Sequence, residues 1–75
     1  MAKQTPPRKL IALGKAVRDQ RKKVGLSQDA VADRLNIQQN AISAIEQGRY
    51  GGVGPYIGRL EEMLRVPPGG LRKYL

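Results

Sequence analysis

The sequence predicts an all-α fold, a compact bundle of about five short helices, and three observations carry that reading. Apolar residues recur at three- and four-residue spacing in successive segments. Glycine, asparagine or proline stands at the end of each segment, where a helix needs a stop. No stretch alternates apolar and polar residues for long enough to make a strand. With 75 residues the chain forms one domain at most, and a domain of that size has little stability to spare.

The opening residues 1–7 contain Lys3, Gln4, Thr5 and the pair Pro6-Pro7, a composition that cannot bury a face. They read as a flexible basic arm, with the helical domain over 8–75. From Arg8 to Val24, Leu10, Leu13, Val17 and Val24 form a helical stripe that also carries Gly14 and Arg21. Gly25 follows, where a left-handed residue closes a helix, and Leu26 is placed to fold back on that end. Ser27 is then the N-cap of a second helix over about 28–35, with Asp29 in its first turn and Val31, Ala32 and Leu35 as its apolar face. Asn36 suits a left-handed turn and Ile37 anchors that turn.

A third helix over about 39–47 follows at once, with Ala41, Ile42 and Ile45 apolar and Gly48 as its stop. The segment from Tyr50 to Pro55 holds three glycines and a proline and reads as an irregular loop. Ile57, Leu60, Met63 and Leu64 make a fourth stripe that ends at Pro67-Pro68-Gly69-Gly70, and Leu71 to Leu75 can form one further turn.

Fourteen Lys and Arg against six Asp and Glu give a formal charge of +8, which points to an anionic partner. Eight of those cations lie at or before Lys23, where Asp19 is the only acid. Cysteine and histidine are absent, so disulfides, thiolate or imidazole metal sites and the usual nucleophile-base pairs are ruled out. The acids are scattered and suggest no two-metal cluster, so no catalytic residue, metal or cofactor is expected. No small-molecule ligand is evident. No apolar run is long enough to span a membrane and no secretory leader is recognisable, so the expected location is the cytoplasm, associated with the nucleoid.

The run Gly25-Leu26-Ser27-Gln28-Asp29-Ala30-Val31-Ala32-Asp33-Arg34-Leu35-Asn36-Ile37, continuing through Ile42 to Glu46-Gln47-Gly48-Arg49, resembles the phage repressor and Cro-like helix-turn-helix family of XRE-type regulators. The likeness spans roughly Gly14 to Leu71 and implies a lambda-repressor-like DNA-binding domain whose third helix enters the major groove. Beside it stands a physical argument. Two short helices that cross steeply need a small residue at the crossing, and Ala32 supplies one, with Leu35, Ile37, Ile42 and Ile45 as the core that fixes the angle. Gln38, Gln39 and Asn40 cluster at the tip of the third helix, and such amides can offer adenine a donor and an acceptor together. Ser43 and Ala44, about one turn on, are further candidates for base contact.

The resemblance implies that Gln28 clamps a phosphate, and that Arg21 and Glu46 form a partly buried ion pair tying the first helix to the third. Arg21 is also a candidate phosphate contact. Arg49 and Tyr50 follow the third helix beside Gly51 and Gly52, which let a backbone approach a phosphate. This exit departs from the family, which usually carries a proline and a hydroxyl residue near Gly52 and Val53. Lys3, Arg8 and Lys9 either follow the DNA backbone or remain a solvated tail. The implied function is a double-stranded DNA-binding transcriptional regulator, a repressor acting as a homodimer on a palindromic operator. The alternative is a protein-interaction module, such as an antitoxin subunit or coactivator-like domain.

Overall fold

In the computed structural model, which describes residues 8–50 and 52–75, short turns join four α-helices. These are α1 (Arg8–Val24), α2 (Gln28–Leu35), α3 (Gln39–Glu46) and α4 (Ile57–Met63), with 3-10 turns at Gly54–Tyr56 and Arg72–Tyr74. There is no strand among the described residues, and the chain is all-α as expected. The arm over 1–7, Lys3 included, lies outside the described residues, as does Gly51.

Each of the four helices ends in the same closure, in which the residue that follows the left-handed stop bonds back five positions to a carbonyl that would otherwise lack a partner. Leu26 N–H donates to Arg21 O at 3.0 Å, Ile37 to Ala32 at 3.0 Å, Arg49 to Ala44 at 2.9 Å and Val66 to Glu61 at 2.8 Å. The reversal requires one left-handed residue each time. Gly25, Asn36, Gly48 and Arg65 take that role, with φ of 85°, 60°, 76° and 58°. Gln47 belongs to the third of these closures, so α3 stops one residue short of the expected bound. Arg65 carries no sequence signal for its conformation. Pro67 forces Val66 toward extended backbone, which leaves Arg65 to complete the reversal at a cost of roughly 1–2 kcal/mol.

Ser27 caps α2 with extended backbone, and its hydroxyl accepts from Ala30 N–H at 3.0 Å. The core comprises Leu13 and Val17 of α1, Val31, Ala32 and Leu35 of α2, Ile42 and Ile45 of α3, and Val53, Ile57, Leu60, Leu64 and Leu71 beyond. Ile37 is only half-buried and packs on the core from outside, because the left-handed turn at Asn36 lifts it to the surface. The expected irregular loop is corrected in two ways. Val53 is fully buried and pins it to the core, and Gly54-Pro55-Tyr56 forms a 3-10 turn because proline presets the helical φ at its first positions.

Ala32 is buried as its crossing role requires, yet a backbone-to-backbone approach occurs at Gly14. A Cβ there would overlap Ile45 O and stand 2.6 Å from Glu46 O, both main-chain atoms at the end of α3. Only glycine lets α1 seat against α3 this closely.

Among the described residues Glu61 is the charged residue most deeply buried as a whole, at 2% exposure. Its Oε2 accepts from the backbone N–H groups of Gly69, Leu71 and Arg72 at 2.9, 3.0 and 3.2 Å, and its Oε1 accepts from Arg72 Nε at 3.0 Å. Burial by itself would raise the Glu61 pKa. The donors from Leu71, Arg72 and Gly69 outweigh burial and hold it below the ordinary value. Its position on the α4 stripe, four residues after Ile57 and three before Leu64, was the available signal that it faces inward.

Two predictions follow from these contacts. Gly14→Ala is expected to destabilise the fold by about 1–3 kcal/mol, the usual cost of overpacking, as read by urea denaturation monitored by circular dichroism. A folded-state pKa below the unfolded one means that Glu61 stabilises the fold fully above about pH 4.3, and that this is lost as pH falls through the lower folded value. The melting temperature should therefore drop on acidification, and Glu61→Gln should lower it at neutral pH while flattening its acid dependence.

Candidate nucleic-acid interface

The second and third helices meet through the three-residue turn Asn36–Gln38, which leaves the start of α3 projecting from the core. Gln38 is its N-cap, in extended backbone, and makes no capping bond with its side chain. Gln38, Gln39 and Asn40 are all exposed, and Ser43 and Ala44 are half-buried on the following turn. Ser43 Oγ accepts from Gln47 Nε2 at 3.0 Å and keeps its proton to donate.

Behind this tip, four side chains from three helices form a continuous chain of hydrogen bonds. Arg21 Nε donates to Glu46 Oε2 at 2.6 Å, Arg21 Nη2 to Glu46 Oε1 at 3.2 Å, and Arg21 Nη1 to Leu26 O at 2.9 Å. Gln28 Nε2 donates to Glu46 Oε1 at 2.9 Å, and Gln39 Nε2 donates to Gln28 Oε1. The ion pair is nearly sealed, with side-chain exposures of 11% for Arg21 and 4% for Glu46. Three of the five guanidinium N–H groups of Arg21 are thus engaged within the protein.

The expected contact residues divide between two surface depressions. Gln38, Asn40, Ala44, Arg49 and Tyr50 line one together with Ala41. Arg21, Gln28 and Ser43 line the other, joined by Arg18, Lys22, Glu46 and Gln47. Gln39 bridges the pair through its bond to Gln28. Arg8 is exposed at the start of α1 and lines neither.

Sequence reasoning missed Arg18, Lys22 and Gln47. For the two cations the signal was present, since Arg18 lies three residues before Arg21 and four before Lys22 and so neighbours both on the surface of α1. Glu46 is the single acid in the lining of the second depression and is already matched by Arg21, so Arg18 and Lys22 leave that cleft positive.

Tyr50 is 38% exposed, and its phenol lies across Gly52, where a Cβ would meet Tyr50 Oη at 2.6 Å. A hydrogen bond with Tyr50 is the main cause that raises the Tyr56 pKa above its ordinary value. The Tyr50 ring thus occupies the space a side chain at Gly52 would take, while Gly52 itself stays exposed.

Among the described residues no helix is long and apolar enough to cross a membrane. Comparison with curated proteins and with solved structures gave no match. A family model described as a helix-turn-helix domain matches residues 12–75. This covers all four helices but the first turn of α1, the Gln28 to Glu46 network and both depressions, and the chain belongs to that helix-turn-helix domain family.

Proposed function

We propose that the chain is a sequence-specific double-stranded DNA-binding regulator that lays α3 in the major groove. The observation that carries this is the bond from Gln39 to Gln28, which holds an exposed amide at the tip of α3 in one place before any DNA arrives. Glutamine reads adenine by accepting from N6 and donating to N7, and a side chain already oriented gives up less freedom on binding. Gln38, Asn40, Ser43 and Ala44 share the face and supply the neighbouring base contacts, with Ala44 suited to a thymine methyl.

Phosphates on either side are held by the two positive margins. Arg49 and Tyr50 serve one, and Gln28, Arg18 and Lys22 the other, with the second hydrogen of Gln28 Nε2 as a donor. Arg21 acts mainly by fixing Glu46, and its remaining N–H groups face the same cleft. A single α3 contacts only a few base pairs, so two copies on half-sites one helical turn apart give the affinity and length of site that a regulator needs. A dimer occluding a promoter through a palindromic operator is a repressor.

Selection from a pool of random duplexes tests this reading, with an enriched palindrome as the expected result; absence of any enrichment would refute it. On the selected site Gln39→Ala should cost about 1–3 kcal/mol and should cost little on unrelated DNA. Arg49→Ala should weaken binding to all duplexes and reduce the slope of log affinity against log salt by about 1.

A further inference from the structure

We propose that Glu46, nearly buried and two helical turns from Gln39, determines which base Gln39 prefers by fixing the direction in which its amide is presented. The inference rests on the base-reading role of Gln39 given above and concerns what sets its specificity.

The reasoning follows from which atoms can donate. A carboxylate has only acceptors, whereas a glutamine amide has an acceptor end and a donor end that are nearly equal in shape. Glu46 Oε1 at 2.9 Å therefore admits only the NH2 end of Gln28. With that end committed, Gln28 must turn its oxygen toward Gln39, and an oxygen in turn admits only the NH2 end of Gln39. Each link has one allowed polarity, and reversing any of them would set two acceptors against each other. Arg21 completes the arrangement by holding both carboxylate oxygens from the opposite side, so that Glu46 cannot rotate away.

The outcome at the tip of α3 is a particular set of open groups. Gln39 keeps Oε1 with its lone pairs and one hydrogen on Nε2, the other hydrogen being taken by Gln28. Adenine presents one donor and one acceptor in the major groove, at N6 and N7, and matches that set. Guanine presents two acceptors, O6 and N7, and would require two donors from a nitrogen that has one left. The relay thus favours adenine and disfavours guanine at this position. If the polarity were reversed, Gln39 would bond inward through its oxygen and offer both hydrogens outward, the set that guanine accepts.

Glu46→Gln is the direct probe. It keeps the size of the side chain and an oxygen for Arg21, but the introduced amide can donate to Gln28 as well as accept from it, so both polarities become available. Gln28→Met is the companion. It removes the relay without touching the Arg21 and Glu46 pair, and its stability does not depend on an altered ion pair.

The experiment uses the full chain and the duplex recovered by selection, together with a duplex in which the adenine read by Gln39 is changed to guanine. That position is identified as the one where Gln39→Ala loses discrimination. For the unaltered protein the adenine duplex should bind roughly 5- to 150-fold more tightly, the range for one bidentate base contact. Both Glu46→Gln and Gln28→Met should lose most of this ratio. Melting temperatures taken alongside show whether each variant is folded, and Gln28→Met decides the matter if Glu46→Gln is not. In the free protein, the side-chain amide NMR signals of Gln39 should shift in both variants.

If the variants are folded and bind both duplexes more weakly by the same factor, Glu46 is merely structural and the inference fails. If the unaltered protein shows no preference for adenine over guanine, the base-reading proposal fails and takes this inference with it. A wild-type preference that survives in Gln28→Met overturns the relay alone.

Discussion

Arg21 and Glu46 face each other where the end of α1, the start of α2 and the end of α3 converge, and the arrangement of the three helices depends on that contact being made. An intact buried pair adds little to stability, because desolvation offsets most of the Coulombic gain, whereas removing one partner costs about 3–5 kcal/mol. A pair of this kind therefore acts less as an adhesive than as a condition on geometry. It is satisfied only when α1 and α3 sit at one separation and one rotation, and Gly14 is the residue that makes this separation reachable. The hydrogen bond from Arg21 to Leu26 O carries the same condition into the turn before α2.

Much of the scaffold was legible because its punctuation is local. Gly25, Ser27, Asn36 and Gly48 each act on a single turn of backbone through their own conformational preferences, and they bound α1, α2 and α3 within a residue. The features that escaped are those decided by contacts distant in sequence. Val53 is buried because α4 and the rest of the core close over it, which nothing in its glycine-rich surroundings reveals. Arg65 is left-handed because Pro67 limits its neighbour, against its own preference. Glu61 is interior because the chain returns at Gly69 to Arg72 to bond it.

The candidate site divides along the same line. Residue type together with position at the start of the third helix made Gln38, Gln39 and Asn40 candidates for base contact, while the bond between Gln39 and Gln28 joins positions 11 apart in sequence and belongs to the packed turn. The pairing of Arg21 with Glu46 was reached only through family resemblance, since an arginine on an apolar stripe does not name its partner. Arg18 and Lys22 show the converse. They are plain surface cations by composition, and the packing of α1 against the end of α3, with Gln28 of α2 at the rim, gives them a shared cleft.

Gly14 has a further consequence for how such a protein can change. The separation of α1 from α3 is set by main-chain atoms in contact, not by the volumes of interchangeable side chains. Replacements among Leu13, Val17, Ile42 or Ile45 can alter how the interior is filled, but they push against a spacing that is already fixed by backbone. The exposed face of α3 is in that sense insulated from drift in the core, and its amides at Gln38, Gln39 and Asn40 can be exchanged on a platform that does not move beneath them.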